Sequence, residues 1–176
     1  SVSYTRGLRD FHNLFVKMIL ITKTGHAGDT LMDVACGKGG DFSKWTQARL
    51  SFVFGVDVSP DNITNRVDGA CARYLNLRKS TKVMPSALFV VGDSQFNIRK
   101  GATMSDKAKK IVASVFGSTS RKEASELGKG VERHYAVGED GFNVTSCQFA
   151  LHYFFKSIPI LHRFLRNVAE CTKVGG

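Results

Sequence analysis

Hydrophobic and polar positions along the chain alternate in blocks that predict short strands separated by helices. Four apolar runs are short and rich in β-branched and aromatic residues, as buried strands are: TLMDVA, FVFGVDV, ALFVVGD and FNVTSC. Apolar residues at helical spacing predict one helix within LRDFHNLFVKMILI and another within PILHRFLRNVAECTK. Strands that alternate with helices indicate an α/β fold, in which helices cover both faces of a mostly parallel sheet.

Boundary signals divide the chain further. The N-terminal helix is predicted over about residues 8–24. Ser59 suits an N-cap and Pro60 the first helical position, which predicts a helix that begins there and runs to about Leu77. Residues 99–140 contain few strand signals and several glycines, and they predict an inserted arm.

The composition is that of a basic protein. The 176 residues, 1–176, are predicted to form one domain, and their formal net charge is +10. Such a surface attracts polyanions such as nucleic acid. Nine basic and four acidic residues fall between Arg99 and Arg133, so half of the net charge lies in the predicted arm. Two interpretations of this basic arm stay open, a surface that binds nucleic acid and a solvated loop.

The cysteine pattern and the hydropathy exclude several classes of protein. The four cysteines lie at least 24 residues apart without a CxxC pair, which predicts reduced thiols and no metal site. No run of 18 apolar residues occurs, and the N-terminal residues lack the features of a signal peptide. We therefore expect no membrane segment and a reducing intracellular location. The cytoplasm or a viral factory (or a virion) fits a viral protein, and the nucleus fits a cellular one.

The stretch LMDVACGKGGDFSKW places a glycine-rich turn between a predicted strand and a predicted helix. Gly37, Gly39 and Gly40 permit unusual backbone angles and close approach of a ligand to the backbone. Phe42 stands where a dinucleotide fingerprint needs glycine, and GKGGD is not a P-loop. Asp41 would repel a pyrophosphate but tolerate a ligand that carries positive charge. The turn therefore favours a cationic ligand without a pyrophosphate.

Three aspartates stand at the carboxyl ends of predicted strands, where parallel sheets bind ligands. Asp57 lies 24 residues after Asp33, at a position from which a carboxylate accepts hydrogen bonds from ribose hydroxyls. Asp93 and Ser94 suit the edge of an adenine. A single aspartate of this kind is more often a cap or turn residue, whereas three in register indicate a site. An adenosine cofactor with a cationic centre and no pyrophosphate is S-adenosylmethionine.

These stretches, together with VDVSPDNI, ACARY and FNVTSCQFALHYFF, resemble the mRNA cap guanine-N7 methyltransferases, most closely those of large DNA viruses. The similarity runs from Leu8 to Gly176 and is poorest between Ser105 and Asp140. It implies a class I, Rossmann-like fold and S-adenosylmethionine as cofactor. It also implies the capped mRNA 5′ end as substrate, and guanylyltransferase or triphosphatase domains or subunits as partners.

The resemblance further implies which residues form the site. Lys17 would meet the carboxylate of the cofactor, Asp57 its ribose, and Asp93 with Ser94 its adenine. The implied cofactor-binding residues are Lys17, Gly37, Gly39, Asp57, Asp93, Ser94, Gln148 and Tyr153. The implied cap-binding residues are Gly40, Arg73, Phe149, His152 and Tyr153. Histidine and tyrosine offer flat faces and hydrogen-bonding edges to a purine, and arginine suits a phosphate.

The sequence departs from the family pattern in two places. The spacing between Asp57 and the ARY that contains Arg73 is about one helical turn longer than expected for cellular relatives, which is expected to move Arg73. The chain ends at KVGG, where the family continues into a further strand and adds a glutamate and a tyrosine to the guanine pocket. We therefore expect a catalytic-domain fragment that lacks C-terminal strands, the first of which would pair beside FNVTSC.

The chemistry implied by the resemblance requires no acid or base. Guanine N7 has a free lone pair and carries no proton, so no catalytic side chain is predicted. Orientation and the electrostatic effect of nearby carboxylates on the developing cation would lower the barrier. Other functions stay open: a class I methyltransferase with another substrate, a non-catalytic partner, or an RNA-binding module. Ordinary structural roles also stay open for Lys17, His152 and Tyr153.

Overall fold

A computed structural model describes residues 5–176, and its strands form one parallel sheet. The strands are β1 (Thr30–Asp33), β2 (Phe52–Asp57), β3 (Ser86–Val91) and β4 (Val144–Ser146). Their order across the sheet is β3-β2-β1-β4, and all three pairings are parallel. This order matches the first four strands of the doubly wound order 3-2-1-4-5-6. The predicted α/β class and the four predicted strands are confirmed.

Helices connect and cover these strands. The N-terminal helix is continuous through α1 (Arg6–Phe11), a π-helical segment (His12–Val16) and α2 (Lys17–Thr24). The further helices are α3 (Phe42–Gln47), α4 (Pro60–Thr64), α5 (Ala70–Ser80), α6 (Asp106–Val115), α7 (Arg121–Glu126), α8 (Lys129–Arg133), a 3-10 helix (Leu151–Lys156) and α9 (Ile158–Cys171). Over residues 5–176, no helix combines the length and the apolar character needed to cross a bilayer.

The helix predicted from Pro60 to about Leu77 is wrong in its length, because it is divided into α4 and α5. Its start is confirmed, since the Ser59 hydroxyl accepts a hydrogen bond from the Asn62 N–H at 3.3 Å. The division follows from Asn65, whose side-chain oxygen accepts from the backbone N–H of Val67 at 2.9 Å and of Asp68 at 3.3 Å. These side-chain bonds compete with the helical ladder, so the backbone turns before α5 begins.

Both faces of the sheet are covered. On one face Met32 and Phe54 pack with apolar residues of α6 and α9. On the other face Leu31 and Val53 pack with residues of α2, α3 and α5, including the fully buried Trp45. Every residue of β1 and β2 is buried. The predicted three-layer arrangement therefore follows from two central strands that are apolar on both faces.

The segment predicted as an inserted arm belongs to the core in its first half. Val112 and Val115 of α6 and the following Phe116 are buried, and Phe116 contacts Phe54 edge-to-face with ring centroids 6.3 Å apart. The apolar residues of α6 recur at helical spacing, so one face of this helix covers the sheet. The segment 99–140 is therefore the crossover between β3 and β4. Its last helix also approaches the sheet, because the His134 ring, just after α8, stacks on Phe52 of β2 with centroids 4.2 Å apart.

The N-terminal helix lies on the surface with few buried residues. Ile21 is its buried side chain among residues 5–24. Its exposed apolar residues are Leu8, Phe11, Leu14, Phe15, Ile19 and Leu20. Near the other end of the chain, a parallel bridge pairs Phe142, just before β4, with Thr172, just after α9.

Candidate functional site

A cleft of about 430 Å³ lies at the carboxyl ends of β1, β2 and β3. Its walls include Asp57, Asp93 and Ser94 from the strand ends, and Tyr153 and Phe154 from the 3-10 helix. Its volume lies within the range of small-ligand sites. The structure thus brings four of the predicted cofactor residues, Asp57, Asp93, Ser94 and Tyr153, to one cleft.

The glycine turn beside the cleft requires glycine for steric and conformational reasons. Gly37 and Gly39 have φ values of +53° and +72°, which side chains disfavour. A Cβ at Gly39 would lie 2.2 Å from the ring of Phe42, whereas a Cβ at Gly37 or Gly40 would meet no atom within 4 Å. Gly39 therefore allows the turn to close over Phe42, and Gly37 and Gly40 border open space.

Asp57 is both a cleft residue and a structural anchor. Its Oδ2 accepts a hydrogen bond from the Gly37 N–H at 2.8 Å. Its Oδ1 accepts from the Ser59 N–H at 2.9 Å and from the Asn62 side-chain amide at 3.0 Å. An ionised carboxylate has about four acceptor positions, so protein groups occupy about three of them. Asp57 thus ties the glycine turn to β2 and keeps about one acceptor position for a ligand.

Asp93 and Ser94 form the neighbouring wall in different ways. The Asp93 Oδ1 accepts from the Gln95 N–H at 2.9 Å, and the residue is half-buried. The Ser94 side chain is buried, and its hydroxyl donates to the Val34 carbonyl at 2.6 Å. The Ser94 hydroxyl is therefore engaged with the backbone that follows β1, and the carboxylate of Asp93 is the more accessible polar group.

Asn167 holds this wall in place and was not predicted. Its side-chain amide donates to the carbonyls of Ser94 at 2.8 Å and Phe96 at 2.6 Å. Its side-chain oxygen accepts from the Ile98 N–H at 3.0 Å. The residue is 1% exposed. An asparagine among the apolar positions of α9 was the feature of the sequence that could have indicated a buried polar contact. Its partners lie about 70 positions earlier in the chain and could not be identified without the fold.

Two lysines flank Asp41 at the end of the glycine turn. The Lys17 ammonium donates to the Asp41 Oδ2 at 3.2 Å, and the Lys44 ammonium lies 3.0 Å from Oδ1. Lys44 also donates to the Gly40 carbonyl at 3.2 Å. The three side chains, Lys17, Asp41 and Lys44, are 14%, 7% and 5% exposed. Two cations for one anion leave an excess of positive charge around Asp41. Lys44, like Asn167, was not predicted from the sequence.

Asp33 is a buried carboxyl group beneath this cluster, 1% exposed. Burial, which disfavours the charged form, raises its pKa to about 7. The backbone N–H of Ala35, which donates to Asp33 at 3.1 Å, acts in the opposite direction. The negative charges of Asp41 and Asp57 raise the pKa further, and the charge of Lys17 lowers it. A substantial fraction of Asp33 is therefore protonated at neutral pH.

The predicted cap residues lie near the glycine turn and the N-terminal helix. The Arg73 guanidinium donates to the carbonyl of Lys38, within the turn, at 2.7 Å. Phe149 is about half exposed, has a φ of +57°, and stacks on the His12 ring with centroids 4.7 Å apart. The Lys17 ammonium lies 5.5 Å from the centroid of the Phe149 ring. Arg73 thus contacts the glycine turn and Phe149 contacts the N-terminal helix, and these two elements border Lys17 and Asp41.

His152 and Tyr153 are neighbouring exposed rings, with centroids 4.0 Å apart. Tyr153 is 56% exposed and borders the cleft, so the alternative that it packs in the core is wrong. The core position belongs to Phe154, which is buried and stacks on Phe164 with centroids 3.9 Å apart. Lys17 is likewise not an exposed helix charge, because its side chain is 14% exposed and bound to Asp41.

Gln148, like several other predicted site residues, is not among the residues that line the cleft. Its side-chain amide donates to the Ser146 hydroxyl at 3.1 Å. It lines a separate depression of about 160 Å³ between α2 and β4, with Leu20 and Ile21. Its assigned contact with a cofactor therefore stays a prediction.

The four cysteine side chains are buried or half-buried. The four cysteines are free thiols. Burial raises the pKa of Cys36 well above its usual value, and the pKa values of Cys147 and Cys171 to about 11 and about 12. A thiol with a raised pKa is a poor nucleophile. In the described part of the chain, no three His, Cys, Asp or Glu side chains are grouped as metal ligands would be.

Comparison with known proteins gives the family. The profile of the mRNA (guanine-N(7))-methyltransferase domain matches residues 1–176. A probable mRNA-capping enzyme of Acanthamoeba polyphaga mimivirus is 26% identical over 176 residues, which are all of this chain and 14% of that protein. An mRNA cap guanine-N(7) methyltransferase 1 of Oryza sativa is 30% identical over 165 residues, 93% of this chain and 35% of that protein.

A third relative, the mRNA cap guanine-N(7) methyltransferase of Candida glabrata, is 31% identical over 169 residues. These residues are 96% of this chain and 32% of the relative. The chain thus spans between 14% and 35% of the length of these three proteins. Because the family profile covers every residue, the chain belongs to the mRNA (guanine-N(7))-methyltransferase domain family.

Proposed function

We propose that the protein containing this chain transfers a methyl group from S-adenosylmethionine to N7 of the guanine in an mRNA cap. The observation that carries the proposal is the cleft at the strand ends of a member of this family, with Asp57 and Asp93 on one wall and Tyr153 on another. The relatives from rice and Candida glabrata are named for the same activity.

The chemistry of the cleft fits this cofactor. Asp57 keeps about one acceptor position for a ribose hydroxyl, and Asp93 offers a carboxylate to the adenine amino group. The excess positive charge of Lys17 and Lys44 beside Asp41 suits a carboxylate. Gly37 leaves open space beside the turn. The cofactor, when bound, supplies a methyl group attached to a sulfonium sulfur.

The side chains of the protein then bind and orient the two reactants. Arg73 suits a cap phosphate, and the exposed faces of His152, Tyr153 and Phe149 suit a purine ring. No side chain moves a proton, because the lone pair of N7 forms the new bond to carbon while the electron pair of the broken bond stays on sulfur. Holding N7 in line with the methyl group lowers the barrier through orientation.

The test is a methylation assay on the full-length protein and on the 176-residue chain. Each is incubated with radiolabelled S-adenosylmethionine and GpppA-capped RNA, and the digested RNA is examined for N7-methylguanosine. Uncapped RNA and a protein mixture serve as control substrates. Label in N7-methylguanosine from capped RNA alone supports the proposal, and label in either control substrate alone contradicts it.

We also propose that cap-forming activities accompany this one, on the same polypeptide or on partner subunits. The mimivirus relative is named an mRNA-capping enzyme, and this chain covers only 14% of it. The four free thiols are consistent with a reducing intracellular location, the cytoplasm or a viral factory for a viral protein and the nucleus for a cellular one. An assay for guanylyltransferase activity in the purified full-length protein and its copurifying subunits tests whether cap-forming activities accompany methylation.

A further inference from the structure

A groove that the proposed reaction does not use crosses the exposed face of α5 and reaches β3. It consists of two adjoining depressions of about 640 and 410 Å³, which share Cys71 and Leu75 in their walls. The second depression is floored by Ala87, Leu88 and Phe89 of β3, the outer strand of the sheet. The groove is therefore apolar at its base.

The charged residues along this groove are all basic. Arg66 and Lys79 line the first depression, and Arg78 and Arg133 line the second. All four residues are exposed, and no described aspartate or glutamate lines either depression. The nearby Asp61 and Asp68 are paired with Lys38 at 3.1 and 2.8 Å, which offsets part of their charge. The groove is therefore complementary to a polyanion.

Part of this basic surface is already oriented. The Arg78 guanidinium donates to the Tyr74 hydroxyl at 2.9 Å, and this hydroxyl in turn donates to the Pro85 carbonyl at 3.1 Å. One guanidinium N–H is used in this way, which leaves the others for a ligand. Cys71, Leu75 and Lys79 follow one another at intervals of four residues, so they share one helical face with Arg78. A positively charged groove of this kind follows the backbone of single-stranded nucleic acid, and Phe89 in its floor offers an aromatic ring.

The groove also leads away from the proposed cap site. Arg73, near the start of α5, donates to the Lys38 carbonyl in the glycine turn. The 11 residues of α5 then carry the helix about 16 Å toward the beginning of β3. A chain attached to a cap beside Arg73 would therefore meet Arg78, Lys79 and Arg133 along its path.

We infer that this groove binds the single-stranded RNA that follows the cap, with its phosphates beside Arg66, Arg78, Lys79 and Arg133. The inference rests on the proposed function for the identity of the RNA. The other basic residues of 99–133, apart from Arg133, are the competing surface. The depression between α6 and α7 is lined by Lys110 but also by Glu123 and Glu126, which oppose an anion.

The experiment measures the affinity of a fluorescent 20-nucleotide single-stranded RNA by anisotropy at several salt concentrations. The test variant of the full-length protein is Arg78→Gln/Lys79→Gln/Arg133→Gln. The matched control is Lys107→Gln/Lys109→Gln/Lys110→Gln, which removes the same charge from exposed positions on α6. Loss of three phosphate contacts is expected to weaken binding by at least about tenfold at low salt, and to reduce the slope of log K against log salt by about 2.

The control variant is expected to keep the wild-type slope. All three proteins should stay folded at the assay temperature because every altered side chain is exposed, and a slightly lower melting temperature of the test variant would reflect the lost Arg78–Tyr74 hydrogen bond. Equal losses in the two variants, or a wild-type slope in the test variant, would overturn the inference. Competition by an acidic peptide at lower concentration than RNA would also overturn it, because the groove would then suit a protein partner.

A second readout separates this inference from the proposed function. Methylation of the GpppA dinucleotide by the wild-type protein reports on the proposed function alone, because the dinucleotide is too short to occupy the groove. If the proposed function is correct, the test variant should lose more activity on long capped RNA than on GpppA. The loss should come from a higher KM for long capped RNA. If GpppA is not methylated, the proposed function fails, while the anisotropy result still decides whether the groove binds RNA.

Discussion

Replacing Asp33 by asparagine tests the electrostatics of the site. Burial raises the pKa of this carboxyl from 3.8 to about 7. The folded state therefore binds more protons than the unfolded state between about pH 4 and pH 7, so stability falls as pH rises through this window. At about 1.4 kcal/mol per pH unit, the difference between the two pKa values corresponds to a loss of about 4 kcal/mol above pH 7.

Asparagine removes the ionisation and keeps an oxygen for the Ala35 N–H, which lies 3.1 Å from the Asp33 carboxyl. Relative to a pH below both pKa values, linkage lowers the unfolding free energy of the wild type by about 2 kcal/mol at pH 5 and about 4 kcal/mol at pH 8. The change in unfolding free energy caused by Asp33→Asn should therefore be more favourable at pH 8 than at pH 5 by about 2–3 kcal/mol.

Urea unfolding followed by circular dichroism, on wild type and variant at both pH values, measures this difference. The comparison between pH values matters more than either value alone, since an amide and a neutral carboxyl do not pack identically. An effect of Asp33→Asn that is the same at pH 5 and pH 8 would refute the reasoning, because the Asp33 pKa would then be similar in the folded and unfolded states.

Three further predictions concern the cleft and the groups that support it. Asp57→Asn places an amide where an acceptor is needed, and should weaken S-adenosylhomocysteine binding, measured by calorimetry, by about 1–3 kcal/mol; unchanged affinity would contradict the assignment. Asn167→Ala leaves three backbone groups without their partners, and should lower the unfolding free energy in urea by more than about 3 kcal/mol; a smaller loss would mean that water replaces the side chain. Gly39→Ala would force a Cβ to 2.2 Å from Phe42 and should lower the melting temperature. Gly40→Ala is the control, because its Cβ would lie in open space, and it should leave the melting temperature unchanged. Similar melting temperatures of the two variants would refute the steric argument.

The fold was largely predictable because its central elements depend on local patterns. β1 and β2 are buried on both faces, so their apolar runs are continuous and stand out from their surroundings. The start of α4 depends on the Ser59 side chain and the fixed backbone angle of Pro60, both of which are local. The division after α4 was missed because it depends on a competition between Asn65 and the helical backbone, and residue type alone does not decide that competition.

The placement of residues around the candidate cleft was predictable where they lie directly at strand ends. Asp57 and Asp93 reach one cleft because parallel strands bring their carboxyl ends to the same edge of the sheet. Lys44 and Asn167 were missed because their roles depend on burial and on partners in other elements. Gln148 directly follows Cys147 after β4, but its side chain turns toward α2, a direction that no sequence pattern indicates.

The charge balance around Asp41 has a consequence for how the N-terminal helix is held. Lys17 belongs to that helix, whereas Asp41 and Lys44 belong to the turn and helix that follow β1. If Lys17 turns to another anion, Asp41 keeps Lys44 as its counter-ion, so no buried charge is left alone. The cluster therefore allows Lys17 to bind a second anion while Lys44 stays paired with Asp41. Ile21 is the one buried side chain among residues 5–24. The helix is therefore attached largely through surface contacts, among them the Lys17–Asp41 pair and the stacking of His12 on Phe149.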